Sequence, residues 1–394
     1  MTVANGRELL GIPGPTNVPD AVLAAMHRPA VDIYSGEMLE ITRTLLADLP
    51  AIFRTSGRAY VYAANGHGGW EAALSNVLSR GETILVLESG RFATGWGEMA
   101  RMMGVKAEVL KGDWRRAVDP SAVTQRLAGD RGHEIKAILV VQIDTASGVV
   151  NDIAAIRRAI DAAGHPALLM VDCVASLGCM PFEMDAWGVD VAMSGSQKGL
   201  MTPPGLAFVV GNERAHAAHA TADLRTLYWD WTFRQGEAHY QKYGGTPPEH
   251  LLFGLRKALD LLLAEGLDHA FRRHALLAEA TRQAVGRWAQ GGALEFNILT
   301  PAERANSITN VLMPGREPAP LLRYCREHCG VVLGVGIGDL SGKAFRIAHM
   351  GHVNAPMVIG MLGAIEMGLI ALGIPHGAGG VQAAVDYLGR EVRA

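Results

Sequence analysis

Two side chains, an acid and an amine, follow separate apolar segments in the middle of the chain. Asp172 ends the run Leu168-Leu169-Met170-Val171, and Lys198 comes directly after Ser194-Gly195-Ser196-Gln197. Such runs, ending in polar residues, predict buried strands. A lysine amine can form a Schiff base with the aldehyde of pyridoxal phosphate (PLP), and a carboxylate can keep the cofactor's ring nitrogen protonated. The pair suggests PLP chemistry with Lys198 and Asp172 as catalytic residues; a surface lysine and a strand-end cap are the alternative interpretation.

A glycine-rich turn, Asn65-Gly66-His67-Gly68-Gly69, precedes a helical pattern. Unpaired N–H groups at a helix start carry the positive end of the dipole, and glycines let a phosphate approach them. The turn is therefore a candidate phosphate site, although its spacing matches neither the dinucleotide fingerprint nor the P-loop, and an ordinary turn is the alternative. The helix is predicted to begin at about residue 68, from the spacing of Trp70, Ala73, Leu74, Val77 and Leu78.

Two further predicted strands end in residues that suit a ring cofactor. Phe92 follows the apolar run 83–87 and offers a ring that stacks on a pyridine, while Asp144, Thr145 and Ser147 follow the run 137–142 with groups that hydrogen-bond a phenolic oxygen or a phosphate. In an open α/β sheet, ligands bind outside the carboxyl ends of the strands. All these candidates are expected at that edge, although each also has a structural interpretation as a core aromatic or a turn residue.

With these motifs the chain resembles the class V, fold-type I PLP-dependent aminotransferases, and among them the alanine–glyoxylate and serine–glyoxylate aminotransferases. The resemblance runs from Ile12-Pro13-Gly14-Pro15-Thr16 to Gly342-Lys343-Ala344-Phe345-Arg346-Ile347. It is densest at Val171-Asp172-Cys173-Val174-Ala175-Ser176-Leu177-Gly178 and at Ser194-Gly195-Ser196-Gln197-Lys198, followed by Pro203-Pro204-Gly205.

The resemblance implies a role for individual residues. It places the Schiff base on Lys198, and it implies a homodimer with shared active sites, in which Tyr243 and Thr246 reach the phosphate bound by the partner subunit. Arg346 matches the arginine that holds the substrate carboxylate, a task suited to a forked guanidinium. The implied cofactor-binding set is Asn65, Gly66, His67, Phe92, Thr145, Asp172, Val174, Gln197, Lys198, Tyr243 and Thr246.

The implied activity is ping-pong transfer of an amino group from a small L-amino acid of the serine, alanine or aspartate type to a 2-oxo acid, with glyoxylate as the expected acceptor. Serine–glyoxylate relatives often read Asp-His-Arg-Ser in the N-terminal loop, where this chain has Asp32-Ile33-Tyr34-Ser35-Gly36-Glu37. The departure leaves the amino donor open. Tyr34 is a candidate substrate-binding residue in that loop, with a packing role as the alternative.

The sequence leaves three alternative functions to compare with aminotransfer. A cysteine desulfurase shares the fold and the lysine but needs a thiol on a mobile loop, whereas Cys325 and Cys329 lie in a predicted helix. Pyridoxamine–pyruvate aminotransferase, a relative that takes the vitamer as substrate, has an acidic residue where this chain has Asn65. A nucleotide-binding dehydrogenase or a scaffold without activity would make the lysine incidental.

Composition sets the remaining expectations. The 394 residues, 49% hydrophobic and 19% charged, are typical of a globular protein with two domains. Strand-like runs that alternate with helical patterns from about residue 60 to 210 predict an α/β fold with a mostly parallel sheet. Together with the resemblance, this gives an expected large PLP-binding domain at 1–270 and a smaller α+β domain at 271–394. The first 20 residues are expected with either the small domain or the partner subunit. Residues 250–285 are predicted to be helical throughout. A net charge of −3 without a basic cluster argues against nucleic acid and membrane partners, and four cysteines without a zinc pattern predict no metal and a cytoplasmic protein.

Overall fold

The computed structural model describes residues 2–392. Its strands are β1 (Leu9–Gly11), β2 (Arg58–Ala63), β3 (Thr83–Leu87), β4 (Lys106–Leu110), β5 (Ile135–Val141), β6 (Ile143–Asp144), β7 (Val149–Val150), β8 (Leu168–Asp172), β9 (Val191–Gly195), β10 (Leu206–Gly211), β11 (Glu295–Phe296), β12 (Ile308–Leu312), β13 (Val331–Val335) and β14 (Ala344–Ala348).

The α-helices surround these strands. They are α1 (Asp20–Met26), α2 (Glu37–Ile52), α3 (Gly66–Val77), α4 (Arg91–Met102), α5 (Pro120–Ala128), α6 (Ile153–Ala162), α7 (Glu213–His219), α8 (Trp231–Arg234), α9 (Glu249–Glu265), α10 (Leu267–Ala289), α11 (Ala319–Cys329), α12 (Ala355–Ala371) and α13 (Gly380–Glu391).

A seven-stranded sheet carries the predicted strand ends. Its order is β2, β10, β9, β8, β5, β3, β4; β10 is antiparallel to β2 and β9, and the other hydrogen-bonded pairs are parallel. All five residues of β8 and of β9 are buried, as expected for strands covered by helices on both faces. The prediction of an α/β fold with a mostly parallel sheet is confirmed.

A second sheet lies in the C-terminal part of the chain. Its order is β1, β13, β14, β12, β11, with β1 parallel to β13 and the other pairs antiparallel. Helices α10 to α13 pack against it around an apolar core that runs from Leu277 to Leu388. The N-terminal strand thus joins the C-terminal sheet, and α10 runs across residue 270, the expected domain boundary.

Two helical predictions differ from the structure in their bounds. Helix α3 begins at Gly66 rather than near residue 68, because the Asn65 side chain accepts hydrogen bonds from the N–H groups of His67 and Gly68 and so caps the helix earlier. The predicted helix over 250–285 is two helices, α9 and α10. Gly266 separates them with a φ of +83°, a conformation that ends a helix.

The structure gives no support for a membrane-spanning segment. Within residues 2–392, every helix is either too short or too polar to cross a bilayer. The apolar segment near residue 360 forms α12, which packs on the C-terminal core through residues such as Met361, Leu362 and Ile365.

Candidate active site

The predicted catalytic pair lies at the carboxyl edge of the large sheet. Asp172 is the last residue of β8, and Lys198 follows the end of the adjacent strand β9. Both residues are buried: Asp172 is 4% exposed and Lys198 is 9% exposed. Because β8 and β9 are parallel neighbours, the segments that follow them begin at the same edge of the sheet, its carboxyl edge.

The Asp172 carboxylate is held by two N–H donors. Its Oδ1 accepts from the backbone N–H of Val174 at 2.8 Å, and its Oδ2 accepts from the indole Nε1–H of Trp70 at 2.7 Å. Burial raises the pKa of Asp172 to about 6, against the two hydrogen bonds and the nearby Lys198 charge, which favour the ionised form. The carboxylate is therefore fixed in position and ready to pair with a cation.

The Lys198 amine is buried, with Arg346 and Asp172 as its charged neighbours. Its Nζ donates to the Pro13 carbonyl, and Thr16 Oγ1 donates to the Lys198 carbonyl at 3.0 Å. Burial lowers the pKa of Lys198 to about 8, with the Arg346 charge acting in the same direction and the Asp172 charge opposing it. The lowered pKa leaves more of this amine uncharged near neutral pH than in an ordinary lysine, as a nucleophile or base requires.

One cavity brings most of the predicted residues together. The side chains and backbone of Phe92, Thr145 and Val174 form its walls, and Trp70, Val141, Ile143 and Ala175 contribute as well. The predicted residues that line it are Gly66, His67, Phe92, Thr145, Asp172, Val174, Gln197 and Lys198. None of the four cysteines lines this cavity: Cys173, Cys179 and Cys325 are buried elsewhere, and Cys329 ends α11.

The first turn of α3 forms the polar end of the cavity. The Asn65 side chain is committed to the N–H groups of His67 at 3.0 Å and Gly68 at 3.3 Å. His67 is exposed and its ring contacts that of Trp70, with 4.6 Å between centroids. Gln197 Oε1 is buried and has no hydrogen-bond partner. The first turn of α3, with Gly66 and His67, and the Gln197 side chain thus line the same cavity.

Asp144 and Ser147 do not have the predicted role of cofactor ligands. Asp144 Oδ2 accepts from the backbone N–H groups of Phe92 and Ala93, both at 3.0 Å, so this buried carboxylate caps α4. The Ser147 hydroxyl donates to the Asp144 carbonyl at 3.2 Å. Of the three polar residues after β5, Thr145 alone lines the cavity. Asp144 instead fixes the start of the helix that carries Phe92.

Arg346 approaches from the C-terminal sheet. Its Nε donates to the Val335 carbonyl at 2.6 Å and its Nη1 to the Thr145 carbonyl at 3.1 Å. Burial lowers the pKa of Arg346 to about 10, with Asp144 acting in the opposite direction. The guanidinium therefore remains a cation at neutral pH, its orientation is fixed by two carbonyls, and its charge is felt at Lys198.

Five predicted residues do not line the cavity of their own chain. Asn65 and Arg346 bond residues that do line it, His67 and Thr145; the other three are Tyr34, Tyr243 and Thr246. Tyr34 is 71% exposed in the loop before α2, and its N–H donates to Asp32. Tyr243 is 2% exposed, and its hydroxyl lies 2.7 Å from Thr42 Oγ1. Thr246 is exposed.

Three site contacts were not anticipated from the sequence: those of Trp70 with Asp172, of Pro13 with the Lys198 amine, and of Thr16 with the Lys198 carbonyl. Trp70 was assigned only to the apolar stripe of α3. Its position one turn after Gly66 is a signal that it faces the same side of the helix as the polar turn. The Pro13 and Thr16 contacts join distant parts of the chain and leave no local signal.

Comparison with known proteins assigns the family. Residues 13–345 match the model of the class-V aminotransferases. The chain belongs to the class-V aminotransferase family. This aminotransferase is 40% identical to serine–glyoxylate aminotransferase of Methylorubrum extorquens over 97% of its length and 96% of the relative's, and 36% identical to L-aspartate–glyoxylate aminotransferase of Paracoccus denitrificans over 95% of both.

The solved structures include a close match in shape. Pyridoxamine–pyruvate aminotransferase of Mesorhizobium loti superposes with a TM-score of 0.90 at 26% identity and covers 100% of both chains. The class-V aminotransferase family uses PLP, and the cavity fits that group. The α3 N-terminus suits an anion, the buried Asp172 suits a cationic ring, and the Lys198 amine suits an aldehyde.

Replacing Trp70 by phenylalanine should raise the pKa of the Asp172 carboxyl in the cofactor-free protein by about one to two units. The variant keeps an aromatic ring but loses a hydrogen bond to a charged group, which contributes roughly 1.5–3 kcal/mol. Carboxyl titration by infrared or carbon NMR of labelled aspartate measures it. Trp96→Phe is the matched control, because Trp96 stacks on Trp70 but its Nε1 has no hydrogen-bond partner. Equal titration curves in the two variants would contradict the assigned bond.

The raised pKa of Asp172 also predicts how cofactor-free stability depends on pH. A folded-state pKa of about 6 against an ordinary value of 3.8 means that the folded state binds more protons between these values, so stability falls as pH rises. Urea unfolding from pH 4 to 6.5 should show wild type losing about 2 kcal/mol relative to Asp172→Asn. Parallel pH profiles of the two proteins would show that Asp172 ionises normally.

Proposed function

We propose that this aminotransferase uses PLP to move an amino group from a small L-amino acid to a 2-oxo acid, with glyoxylate as the acceptor. The observation that carries the proposal is the convergence of the Lys198 amine, the Asp172 carboxylate and the Thr145 hydroxyl on one cavity, beside the fixed guanidinium of Arg346. The lowered pKa of the buried Lys198, about 8, fits an amine that acts as nucleophile or base.

PLP, when bound, supplies an aldehyde that condenses with amines and a ring that accepts electrons from the substrate. We assign its phosphate to the first turn of α3, with Gly66, His67 and Gln197, and its ring to the space between Phe92 and Val174. Thr145 is assigned to the phenolic oxygen. Asp172 holds the proton of the ring nitrogen, because a carboxylate with two N–H donors already in place remains anionic beside a cation.

Lys198 is assigned the proton transfers. With a pKa of about 8, its Nζ would accept a proton from the substrate Cα and would return it to the carbon that the cofactor aldehyde supplies. The Pro13 carbonyl accepts a hydrogen bond from the same nitrogen and keeps it at the mouth of the cavity between these events. Burial excludes water that would otherwise exchange the proton.

Arg346 is assigned the substrate α-carboxylate. Two of its N–H groups are fixed by the carbonyls of Val335 and Thr145, so the remaining Nη2 side of the guanidinium is presented in one orientation. Amino acid and 2-oxo acid share this carboxylate, and one site therefore serves both. Sequential use of one site by two substrates gives ping-pong kinetics.

The relatives support the acceptor more firmly than the donor. The two curated relatives described above are both named for glyoxylate, but one is named for serine and the other for L-aspartate. We therefore propose glyoxylate as acceptor, and a donor of the serine, alanine or aspartate type. The place of Tyr34 as a substrate contact remains a proposal, since its own chain leaves that ring in solvent.

Transfer from pyridoxamine to pyruvate is the second candidate, favoured by the likeness to the Mesorhizobium loti enzyme. Against it stands the neutral Asn65, whose amide oxygen caps α3 without adding a negative charge. The positive end of the helix is thus left for an external anion such as the phosphate ester of PLP. Free pyridoxamine lacks that ester.

We further propose a homodimer with shared sites in the cytoplasm. Tyr243 and Thr246 lie outside the cavity of their own chain, which is compatible with service to a partner, and Thr246 is free to reach one. Tyr243 is 2% exposed, and its hydroxyl is bonded to Thr42 of its own chain. All four cysteines are free, as is usual in a reducing compartment.

Reductive trapping tests the function. Protein incubated with PLP and borohydride should gain one covalent pyridoxyl group on the peptide that contains Lys198, and Lys198→Ala should gain none there. The same preparation, supplied with serine, alanine, aspartate or pyridoxamine against glyoxylate and pyruvate, should transfer amino groups to glyoxylate from at least one amino acid. Trapping without transfer, or transfer from pyridoxamine alone, would reject the proposed reaction.

Arg346→Ala should raise KM for both the amino acid and the 2-oxo acid by about 10- to 100-fold, since it removes roughly 1.5–3 kcal/mol of charge-assisted hydrogen bonding. PLP incorporation should be unchanged. Arg346→Lys keeps the positive charge but loses the forked pair of donors, so its KM values should fall between those of the wild type and those of Arg346→Ala. A KM that changes for one substrate only would remove Arg346 from the shared carboxylate site.

A further inference from the structure

Arg234 is a buried cation without an acidic partner among residues 2–392. It ends the short helix α8 and is 2% exposed. Its guanidinium stands over the ring of Tyr62, 3.9 Å from the centroid, and the electrostatic neighbours of this side chain are tyrosines rather than carboxylates. Burying an unpaired cation is unfavourable unless its N–H groups are bonded.

Backbone carbonyls satisfy this guanidinium instead. Nε and Nη2 donate to the Tyr228 carbonyl at 3.0 and 2.8 Å, and Nη1 donates to the carbonyls of Val61 at 2.7 Å and Lys242 at 2.8 Å. Nη2 also donates to the Tyr243 carbonyl at 3.1 Å. One side chain therefore joins strand β2 to two distant points of an irregular segment.

The contacts end at a glycine turn. Residues 242 and 243 lead into Gly244, which has a φ of +72°, and then into Gly245 and Thr246. A Cβ at position 244 would lie 2.9 Å from Nη2 of Arg234 and 3.1 Å from the ring of Tyr228. Glycine is thus required by both the backbone conformation and the approach of Arg234, which sets the place of the turn Gly244–Thr246.

No residue of this turn lines the cavity of its own chain. The residues that line the cavity include none from 226–247, and Thr246 is exposed. Two large apolar residues of the same segment, Leu227 and Tyr240, are also exposed, at 68% and 43%. A precisely held polar turn beside exposed apolar side chains fits contact with another copy of the chain.

We propose that Arg234 is a positioning residue that holds the turn Gly244–Thr246 in place for the phosphate site of a second copy of this chain. The inference rests on the proposed function, which assigns PLP and a shared site. It adds that the affinity of each subunit for the phosphate group depends on Arg234 of the other. Arg234 itself does not touch the phosphate.

The first test compares Arg234→Met with Arg58→Met. Arg58 is exposed and bonds Gln235 in the same segment, so it is a matched control. Arg234→Met should weaken PLP binding at least about tenfold in equilibrium dialysis. This is the effect of losing roughly one charge-assisted hydrogen bond between the displaced turn and the phosphate. Arg58→Met should keep wild-type affinity. Unchanged binding in Arg234→Met would overturn the proposal.

A hybrid dimer decides which subunit Arg234 serves. Arg234→Met chains mixed with Lys198→Ala chains form hybrids in which one cavity combines an intact lysine with the intact turn of the other subunit. At low PLP concentration, borohydride should then trap the cofactor on Arg234→Met chains with wild-type affinity. A chain that had merely misfolded would not be rescued. Trapping that stays weak in the hybrid would show that Arg234 acts within its own chain and reject the inference.

Two further measurements separate the remaining outcomes. Gly244→Ala keeps Arg234 but displaces the turn. It should lose PLP affinity, and regain it in hybrids with Lys198→Ala chains, even if Arg234→Met fails to fold. Full PLP affinity in Gly244→Ala would contradict the proposal. Sedimentation of the wild type gives the oligomeric state. A monomer that binds PLP tightly would refute the shared site of the proposed function, whereas a dimer without rescue refutes only the role of Arg234.

Discussion

The buried carboxylate of Asp172 is the interaction on which the site depends. An anion at the end of a covered strand is unfavourable unless donors or a cation compensate it. Val174 and Trp70 supply two donors, one from the turn after β8 and one from α3. These elements must therefore stay in register with the strand, and the sheet edge, the first turn of α3 and the lysine after β9 are held in fixed relation to one another.

Two sheets contribute to the same chemistry. Arg346 belongs to β14 of the C-terminal sheet, yet it is bonded to the carbonyl of Thr145, which follows β6 near the edge of the large sheet. Asn310, opposite Arg346 in β12, donates to the Ala146 carbonyl at 2.7 Å. The contact between the two parts of the chain is thus polar and specific at this point, and it sets the distance between the guanidinium and the cavity.

Much of this arrangement could be predicted from the sequence, because strand ends in a parallel sheet meet at one edge. That rule alone brings Asp172, Lys198, Phe92 and Thr145 together before any contact is known. It cannot say which polar group at a strand end faces the cavity, and so it does not distinguish Thr145, which lines the cavity, from Asp144, which caps α4. Nor does an apolar stripe reveal that the indole N–H of Trp70 bonds Asp172, since the distance between α3 and β8 is a tertiary property.

The N-terminal segment couples the smaller sheet to the reacting amine. Strand β1 pairs with β13, and within a few residues the Pro13 carbonyl accepts from Lys198 Nζ while Thr16 bonds the backbone of the same lysine. Any displacement of the C-terminal sheet is transmitted along this short tether to the nucleophile. Sequence changes far from the cavity, at β13 or β1, can in this way alter the basicity and position of Lys198 without touching a substrate.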